Sequence, residues 1–452
     1  MKKVLIVSYV FPPMAAVGGF RVVKACKFLP QFGWQPVVLT VKDGFNYAYD
    51  EDSLKQLDPS LPIYRSKYIS PIDWWDKRTQ PTEQEIIAQS KKAKTNPSGE
   101  PQESTVTKIK QYIKRMISIP DNHNFWIPFA VWKGLQAIRK EKVDIILSTS
   151  PPATVHIIGT WLSYLTGKPL VLDFRDLWTL NESYHNRKLP WLFKKLDRFY
   201  EKRAIKRASV IVSATTGFSD AMYANNTYKL SDQFKSVTNG VDADDFKHIE
   251  FPTVHNDKFS ILHLGSLYGN RNPNFFFEVM KHWVERNPEI KDTCIVNFIG
   301  NTPGFEKSLV GTVLESVIQF QKHIPQKQIL PKLWQADLLL LILGFDKGGK
   351  NVMPAKLYEY VCTKRPILGF LPEGMAAEAI VKYNRGVAVT SEDIEKSITF
   401  LEQQYTLWKN RSGERISEFD LPSEYDRKEQ NKILAEILDN IYSPKNQNDR
   451  LN

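Results

Sequence analysis

The stretch VLIVSYVFPPMAAVGGFRVVKACKFL, residues 4–29, joins an apolar run to a glycine-containing loop and then to an amphipathic helical pattern. A run rich in Val, Ile and Leu is typical of a strand buried on both faces, as in a parallel sheet. The run is short and lacks a small-residue cleavage site, so it indicates a strand rather than a signal peptide. Residues 4–29 therefore predict the first strand–loop–helix unit of an α/β fold.

The same alternation of apolar runs and helix-compatible stretches continues in two series. The first series contains VLIVSYV, QPVVLTV, VDIILSTS, PLVLDF and SVIVSAT, between residues 4 and 215. The second contains FSILHLGSL, TCIVNFIG, ADLLLLILG, RPILGFL and GVAVTS, between residues 259 and 391. Each series predicts one doubly wound domain with a parallel sheet covered on both faces.

A length of 452 residues is also more than a single hydrophobic core usually holds. We predict an N-terminal domain over residues 1–243, with a mobile polar loop at about 80–107. A turn-rich linker follows at 244–257, and a C-terminal domain at 258–420. Residues 421–452 are expected to form a helix that returns to the N-terminal domain, and a tail.

Charge is unevenly distributed along the chain. Residues 1–241 carry 35 Lys and Arg against 21 Asp and Glu, or +14, whereas residues 242–452 carry 26 against 29, or −3. A basic half implies an anionic partner, for which membrane headgroups and a phosphorylated substrate are both suitable. Nucleic acid is disfavoured, because zinc-finger spacing, an RNP-type aromatic strand and a basic heptad region are all missing from the sequence.

The cysteine pattern and the hydropathy pattern narrow the class of protein further. Cys26, Cys294 and Cys362 lie far apart, with no metal-ligand spacing, so neither a disulfide framework nor a zinc site is predicted. No apolar run approaches the roughly 18 to 20 residues of a membrane span. The sequence therefore predicts a cytoplasmic protein, soluble or peripheral on the inner face of the cell membrane.

Two polar groups follow strands of the first series. Gly18 and Gly19 lie in a predicted loop that precedes an amphipathic helix. Glycines there allow a phosphate or a sugar hydroxyl to approach the N–H groups at the helix terminus, although they can also simply turn the chain. Asp173, Arg175 and Asp176 end the strand VLDF. This cluster is a candidate catalytic or acceptor-orienting group, and a structural salt bridge is the alternative.

Two further groups follow strands of the second series. The segment HLGSLYGNRNP contains Gly265, Ser266 and Arg271, small residues with available N–H groups and a guanidinium that suit a diphosphate. Downstream, the pair Gly348–Gly349 precedes a helix that begins near Pro354 and carries Lys356 and Glu359. The helix N-terminus and Lys356 suit a diphosphate, and Glu359 suits ribose hydroxyls; an ordinary capped helix with solvated charges is the alternative.

These motifs together resemble a family-4 glycosyltransferase of the GT-B fold, of the bacterial polysaccharide-building branch. The likeness rests on FPP…GGFR, LSTSPP…LDFRDLW, NGVD, HLGSLYGNRNP and MPAKLYEYVCTKRPIL, and extends over essentially the whole chain. It implies two Rossmann-like domains that face each other across a cleft. It also implies retaining transfer from a nucleotide diphosphate sugar, most simply a UDP-sugar, to a glycan or lipid-linked glycan in cell-surface polysaccharide biosynthesis.

The resemblance assigns roles to several residues, and the sequence differs from the family pattern at two positions. Glu359 matches the ribose-binding second Glu of the family's E-x7-E motif, but the first Glu is replaced by Asn351, which can hydrogen-bond and cannot act as an anion. Arg175 precedes Asp176 where many members have His, and a guanidinium cannot be a general base, so Arg175 is expected to bind an anionic acceptor or the donor phosphate. Asp176 keeps the acidic position, where it would orient the acceptor or stabilise charge at the anomeric carbon.

The implied chemistry needs the nucleotide sugar as co-substrate, no other cofactor and no metal. Arg271, Lys356 and the glycine N–H groups would stabilise the leaving diphosphate. The DAD sequence at 242–244 lies in a linker turn, with too few oxygen ligands nearby for a hard cation. A sugar-nucleotide epimerase or phosphorylase of similar build, and a non-catalytic nucleotide-sugar-binding protein, remain alternatives.

A membrane partner is predicted from two basic segments. VTKIKQYIKRMISI, residues 106–119, has a basic amphipathic pattern, and KKLDRFYEKRAIKRAS, residues 194–209, adds positive charge. Such segments suit an anionic leaflet and a lipid-linked acceptor. The alternative is a pair of ordinary helices whose apolar sides lie in the core.

Overall fold

The structure is a computed structural model of the chain. It describes residues 1–14, 17–42, 54–55, 57–69, 118–181, 184, 189–247, 249–253, 255–267, 269, 271–302, 304–322, 324, 326–345, 347–411 and 418–442. The loop predicted at about 80–107 and residues 106–117 of the basic amphipathic segment lie outside the described residues. The chain divides into two compact units.

The first unit contains residues 1–214, 218–237 and 431–452 and is built on a seven-stranded parallel sheet. Its strands are β1 (Lys2–Val7), β2 (Trp34–Val41), β3 (Ile63–Ser66), β4 (Ile145–Ser150), β5 (Leu170–Phe174), β6 (Val210–Ser213) and β7 (Phe234–Ser236). The spatial order is β3-β2-β1-β4-β5-β6-β7. Its helices are α1 (Val17–Phe28), α2 (Ile127–Glu141), α3 (Thr154–Thr166), α4 (Trp191–Arg207), α5 (Thr216–Asn225), which starts in the second unit, and the end of a helix at Arg427–Tyr442.

Both faces of this sheet are buried, which is why its strands are continuously apolar rather than alternating. Leu5 and Val7 of β1 pack on one face, in a core to which α2, α3 and α4 contribute. Val4 and Ile6 pack on the other face with α1. Burial of such side chains contributes about 25 cal/mol for each Å² of apolar surface removed from water.

The C-terminal helix at Arg427–Tyr442 completes the second of these cores. Its residues Leu434 and Leu438 are buried in the cluster that contains Val4 and Ile6. Asp439 accepts a hydrogen bond of 2.7 Å from Nε1 of the fully buried Trp34. The end of the chain therefore packs on the first unit, although the sequence between residues 238 and 430 belongs to the second.

The second unit, residues 215–217 and 238–430, contains a six-stranded parallel sheet. Its strands are β8 (Phe259–Leu264), β9 (Cys294–Ile299), β10 (Ile318–Gln321), β11 (Leu338–Ile342), β12 (Ile367–Phe370) and β13 (Gly386–Val389), in the order β10-β9-β8-β11-β12-β13. The helices are α6 (Asn274–Arg286), α7 (Ile290–Thr293), α8 (Phe305–Ser308), α9 (Gln326–Gln335), α10 (Ala355–Cys362), α11 (Met375–Lys382) and α12 (Ile394–Lys409); we name the helix at Arg427–Tyr442 α13.

The segment predicted as a linker, residues 244–257, packs within the second unit. Phe246 is buried, and its ring centroid lies 5.5 Å from that of Trp334 and 4.7 Å from that of Phe419. Aromatic contacts of this kind fix the chain against the unit rather than leaving it free.

The strand order of each sheet predicts where a ligand binds. In the first sheet the connections change direction between β1 and β4, and in the second between β8 and β11. Open parallel sheets bind ligands outside the carboxyl ends of the strands at such a point. The residues around Val7 and Ser150, and those around Leu264 and Ile342, are therefore the places to seek a site.

Candidate functional site

Arg175 occupies the carboxyl edge of the first sheet, where it bonds to backbone carbonyl groups. Its Nε donates to the carbonyl oxygen of Ser150 over 2.8 Å and its Nη2 to that of Pro151 over 2.7 Å. Its Nη1 donates to the carbonyl oxygen of Gly18. The side chain is buried, so these bonds join the ends of β4 and β5 to the first turn of α1.

The contact with Arg175 explains why residue 18 is a glycine. A Cβ atom at this position would lie 2.5 Å from Nη1 of Arg175, closer than real contacts allow. Gly18 and Gly19 both lie in the first turn of α1, and not in a loop before the helix as predicted, because the helix already begins at Val17. Gly18 thus admits the guanidinium, in addition to any role toward a ligand.

Asp173 is held by Arg21 and Thr149. Its carboxylate accepts hydrogen bonds from Nε and Nη2 of Arg21 at 2.9 and 2.8 Å, and from the Thr149 hydroxyl at 2.7 Å. Burial alone would raise the pKa of Asp173, but these bonds and the charge of Arg21 hold it below its ordinary value. Asp173 is thus a satisfied internal anion, and Arg21, which the motif did not indicate, provides its guanidinium partner.

Asp176 lies exposed directly after the buried Arg175. Asp176 is thus in contact with solvent, beside the carboxyl edge of the first sheet. His156, by contrast, is fully buried in α3 and lies 2.9 and 2.8 Å from the hydroxyl oxygens of Ser148 and Ser150. Burial lowers the pKa of His156 to about 3, so it packs as a neutral ring.

Lys356 lies at the carboxyl end of β8 in the second unit. Its Nζ donates to the carbonyl oxygen of Leu264, the last residue of that strand. Burial, reinforced by the positive charge of Arg271 and opposed by Glu359, lowers the pKa of Lys356 to about 7. Lys356, Arg271 and Glu359, which were predicted from two separate motifs, therefore interact at one edge of the sheet; we call them the Lys356 cluster.

Gly265 provides the space that Lys356 needs. A Cβ atom at residue 265 would lie 2.6 Å from Nζ of Lys356, and the residue has a φ of +120°, in the region that favours glycine. The prediction that its N–H is available to a ligand is wrong, because that N–H donates to the carbonyl oxygen of Ile299 over 2.8 Å. Ser266 follows it in the loop and is partly buried.

Gly300, at the end of the neighbouring β9, supports the same edge. Its φ is +149°, and a Cβ atom there would overlap the carbonyl oxygen of Gly265. We expect Gly300→Ala to lower the free energy of unfolding by about 1–3 kcal/mol, because strained backbone would be added to a clash with main chain that cannot move cheaply. Urea denaturation measures the change.

The matched control for this prediction is Gly311→Ala. Gly311 has a φ of +76°, but a Cβ atom there would meet no other atom within 4 Å, so only backbone strain of about 1 kcal/mol is expected. Equal losses in the two variants would show that the contact between residues 300 and 265 contributes nothing.

The glycine pair at 348–349 lies in a short 3-10 helix, Lys347–Asn351, that precedes α10. Pro354 is the N-cap of α10, one position earlier than the first helical turn in which it was expected. Asn351 packs beside Gly217, and its carbonyl oxygen accepts a hydrogen bond of 3.0 Å from the Thr215 hydroxyl. The side chain of Asn351 fits here because residue 217 is a glycine; a Cβ atom at residue 217 would overlap it.

His263, the first residue of the HLGSLYGNRNP segment, is a further buried group beside the Lys356 cluster, and no role was predicted for it. It is fully buried on β8, with Nδ1 3.0 Å from the carbonyl oxygen of Leu340. Burial, with added effects from Lys356 and Arg271, lowers its pKa well below the ordinary value. A neutral imidazole therefore lies near two cationic side chains. Its position in that segment did not indicate a role, since a single His in an apolar strand usually is a core residue.

Among the described residues, no three His, Cys, Asp or Glu side chains lie close enough together to hold a metal ion. Asp242 of the DAD sequence accepts a hydrogen bond of 3.0 Å from the Asp244 N–H, as the N-cap of a 3-10 helix at Ala243–Phe246.

Known proteins resemble this chain in part of its sequence and in its fold. Residues 93–245 match the family model described as Glycosyltransferase Family 4. This region is similar to glycosyltransferase family 4. No curated protein matches the chain. The family predicted from the motifs is therefore confirmed over the part of the chain that the family model covers.

Solved structures extend the likeness to the whole chain at the level of the fold. Anabaena HepE in complex with UDP and glucose matches with a TM-score of 0.55 and 13% identity, over 97% of this chain and 100% of that one. Sucrose-phosphate synthase from Thermosynechococcus elongatus matches with a TM-score of 0.54 and 11% identity, over 100% and 99%. S. aureus TarM in complex with Fondaparinux, alpha-GlcNAc-glycerol and UDP matches with 0.53 and 10%, over 99% and 98%.

Identities this low establish the fold only. The chain has the GT-B architecture of two Rossmann-like α/β units, which confirms the predicted fold class. Together with the family 4 match, the fold supports a glycosyltransferase. The roles of individual residues are argued below from their contacts.

Proposed function

We propose that the protein is a retaining glycosyltransferase that moves a sugar from a nucleotide diphosphate sugar, with a UDP-sugar favoured, to a glycan or lipid-linked glycan acceptor. The Lys356 cluster carries this proposal. Two cationic side chains at the carboxyl end of β8, close enough that the charge of Arg271 lowers the pKa of Lys356, indicate a site made for an anion. A diphosphate provides the charge, and HepE and TarM are both described with UDP.

Each donor-binding residue has a role that follows from its place. Lys356 and Arg271 bind the diphosphate, with Gly265 and Ser266 letting it approach the end of β8. Glu359, on the same helix as Lys356, accepts hydrogen bonds from the ribose hydroxyls. Gly348, Gly349 and Asn351 come just before this helix in the chain, and we assign them to the sugar end of the donor.

The first unit provides the acceptor side. Asp176 orients the acceptor hydroxyl, because its carboxylate is exposed at the edge of the sheet. Arg175 is a positioning residue, since its guanidinium bonds to backbone carbonyl groups on both sides of that edge. We assign Gly18 and Gly19, in the first turn of α1, to binding a phosphate or the acceptor through backbone N–H groups.

The reaction follows from these assignments. The bond between the anomeric carbon and the diphosphate oxygen breaks, while the acceptor oxygen bonds to the same carbon from the same face. Because the new bond forms on the face that the diphosphate leaves, configuration is retained. The acceptor proton passes to the departing diphosphate. Lys356 and Arg271 stabilise the charge that develops on the leaving group, which is the role a metal ion has in other transferases.

We also propose a place for the reaction in the cell. A glycan or lipid-linked acceptor fits cell-surface polysaccharide biosynthesis, and a lipid-linked one puts the enzyme on the inner face of the cell membrane as a peripheral protein. No helix among the described residues is long and apolar enough to cross a membrane.

Thermal-shift measurements with UDP, GDP, dTDP and CMP, and with their sugar conjugates, test the donor site. A ligand that binds only the folded protein stabilises it by RT ln(1 + [L]/Kd), so the matching nucleotide diphosphate raises Tm. In Glu359→Ala we expect Kd to increase by roughly 10- to 100-fold, because a charged hydrogen-bond acceptor contributes about 1.5–3 kcal/mol.

Glu402→Ala is the matched control, because Glu402 is an exposed carboxylate on α12 of the same unit. It should keep the full shift. If no nucleotide diphosphate stabilises the protein, the donor site is wrong. If one binds but no glycosylated product forms with any acceptor, a nucleotide-sugar-binding protein or an epimerase replaces the transferase.

A further inference from the structure

The outer surface of the first unit carries large apolar side chains that the proposed reaction does not use. On α3, the exposed residues of the last two turns include Trp161, Tyr164 and Leu165, and Trp161 is 50% exposed. On α4, the exposed apolar residues are Trp191, Leu192, Leu196 and Phe199, with Trp191 at 70%. Soluble proteins seldom expose apolar groups in a contiguous patch without a partner for them.

The two helices enclose a groove at this surface. It has a volume of about 230 Å³, and its lining residues are Ile157, Thr160, Trp161, Tyr164, Phe199, Tyr200 and Arg203. Four aromatic rings and one guanidinium line the groove, which is therefore amphipathic. Such a groove suits a molecule with an apolar body and an anionic head.

The outward charges of α4 are all positive. Its exposed basic residues are Lys195, Arg198, Lys202, Arg203 and Lys206. Its two acidic residues face inward: Asp197 accepts a hydrogen bond of 2.8 Å from Nε1 of Trp178, and Glu201 one of 3.2 Å from the Thr179 N–H. Helix α4, which the structure describes in full, therefore presents only cations and apolar groups to the exterior.

The cations lie over the exposed aromatic rings rather than apart from them. Nζ of Lys195 lies 5.3 Å from the centroid of Trp191, and the guanidinium carbons of Arg203 and Arg207 lie 5.2 and 5.4 Å from that of Tyr164. Trp and Tyr prefer the headgroup level of a bilayer, where long basic side chains reach anionic groups. This combination of aromatic and basic side chains is therefore suited to an interface between water and lipid.

We propose that this outward surface of α3 and α4, which we call the α3–α4 surface, docks on an anionic phospholipid bilayer. The basic side chains of α4 bind lipid phosphates, while Trp161, Trp191 and Phe199 enter the headgroup region. Charge complementarity selects this occupant over a second copy of the chain, because a symmetric dimer would oppose the same cations. The proposal does not depend on the transferase reaction.

Flotation of the purified full-length protein with lipid vesicles tests the charge requirement. We expect binding to phosphatidylcholine vesicles that contain phosphatidylglycerol, little binding to phosphatidylcholine alone, and weaker binding as salt increases. The triple variant Lys195→Gln, Lys202→Gln, Lys206→Gln should bind on the order of 100-fold more weakly, since each basic residue near the surface contributes roughly fivefold.

A control with the same net charge is Lys281→Gln, Lys291→Gln, Lys307→Gln, three exposed lysines of the second unit. It should bind like the original protein. Equal weakening in the two triple variants would mean that net charge, and not the α3–α4 surface, determines binding, and would overturn the proposal.

Quenching of tryptophan fluorescence by brominated lipids tests the apolar contact directly. The double variant Trp161→Phe, Trp191→Phe should lose most of the quenching while it still binds vesicles. Unchanged quenching would place the bilayer contact elsewhere on the protein and contradict the proposal. So would concentration-dependent dimerisation that Trp191→Ser, Phe199→Ser abolishes, since it would make the surface an interface between copies.

These outcomes are separable from failure of the proposed function. Nucleotide stabilisation reports on the Lys356 cluster of the second unit, and vesicle binding on two helices of the first. A protein that binds vesicles through α3 and α4 but no nucleotide would support the docking surface and refute the donor site.

Discussion

Affinity for the nucleotide diphosphate is expected to fall by about fiftyfold between about pH 7 and about pH 9, if the neutral form of Lys356 makes no bond to the phosphate. The pKa of Lys356 is lowered to about 7 in the free protein, first by burial and then by Arg271. A bound diphosphate would favour the ammonium form and raise this pKa. Below about pH 7 the lysine is already charged, so affinity should level off there, apart from ionisation of the phosphate itself.

Isothermal titration calorimetry in two buffers of different ionisation enthalpy provides the sharper measurement. At about pH 8 the free lysine is mostly neutral, so binding should take up close to one proton for each nucleotide. Lys356→Met should lose both the proton uptake and roughly 10- to 100-fold of the affinity, since a hydrogen bond to a charged group contributes about 1.5–3 kcal/mol.

Lys307→Met is the control for this experiment, because Lys307 is an exposed lysine of the same unit. It should leave the affinity and the proton uptake unchanged. Binding without proton uptake at about pH 8, in the original protein, would show either that Lys356 is already charged or that it does not contact the phosphate.

The second large effect concerns stability. Arg21→Met is expected to lower the free energy of unfolding of the first unit by about 3–5 kcal/mol at neutral pH. The variant removes the guanidinium that makes two hydrogen bonds to the buried carboxylate of Asp173. It also removes the bond of 2.8 Å from Nη2 of Arg21 to the carbonyl oxygen of Val237. Urea denaturation, with each unit's transition resolved, measures the loss.

The pH dependence identifies the cause. In the original protein the pKa of Asp173 is lowered, so its contribution to stability is present above the unfolded value and is lost as the pH falls through the folded value. In Arg21→Met, burial without the guanidinium should raise that pKa instead. The deficit should then be small in acid, where the carboxyl is protonated, and grow as the pH rises to neutral.

A double variant separates the ion pair from simple packing. Arg21→Met combined with Asp173→Asn removes the buried charge while the Thr149 hydroxyl keeps an acceptor, so it should recover much of the loss. If the single and double variants are equally unstable, the loss of Arg21 acts through its packing and its bond to Val237, and the buried charge is not the cause.

The elements of the fold were predictable because their causes are local. The strands β1, β2, β4, β5 and β6 coincide with apolar runs of the first series, and β8, β9, β11, β12 and β13 with those of the second. Burial on both faces forces each of these strands to be continuously apolar, so the pattern is visible without the rest of the chain. The edge strand β3 has partly exposed residues and no such run, and was not predicted.

The candidate site was predictable in its members and not in its contacts. Gly265, Arg271, Lys356 and Glu359 were selected because each follows a strand, and β8 and α10 bring Lys356 to Leu264, 92 positions earlier in the chain. Which N–H groups remain available was not predictable, because the N–H of Gly265 pairs with a residue of the neighbouring strand β9.

The sequence by itself determined the alternation of strands and helices, the division into two doubly wound units and the loops that carry the polar residues. Only the tertiary structure decided that Arg21 donates hydrogen bonds to Asp173 and that Arg175 donates to backbone carbonyls. It also decided that His263 is a neutral side chain beside Lys356. Hydrophobic periodicity, and the residues that end helices and strands, act over a few positions, so they can be recognised in a short stretch of sequence. A buried charge, in contrast, acquires its partner and its pKa from whatever side chains the packing of distant segments places beside it.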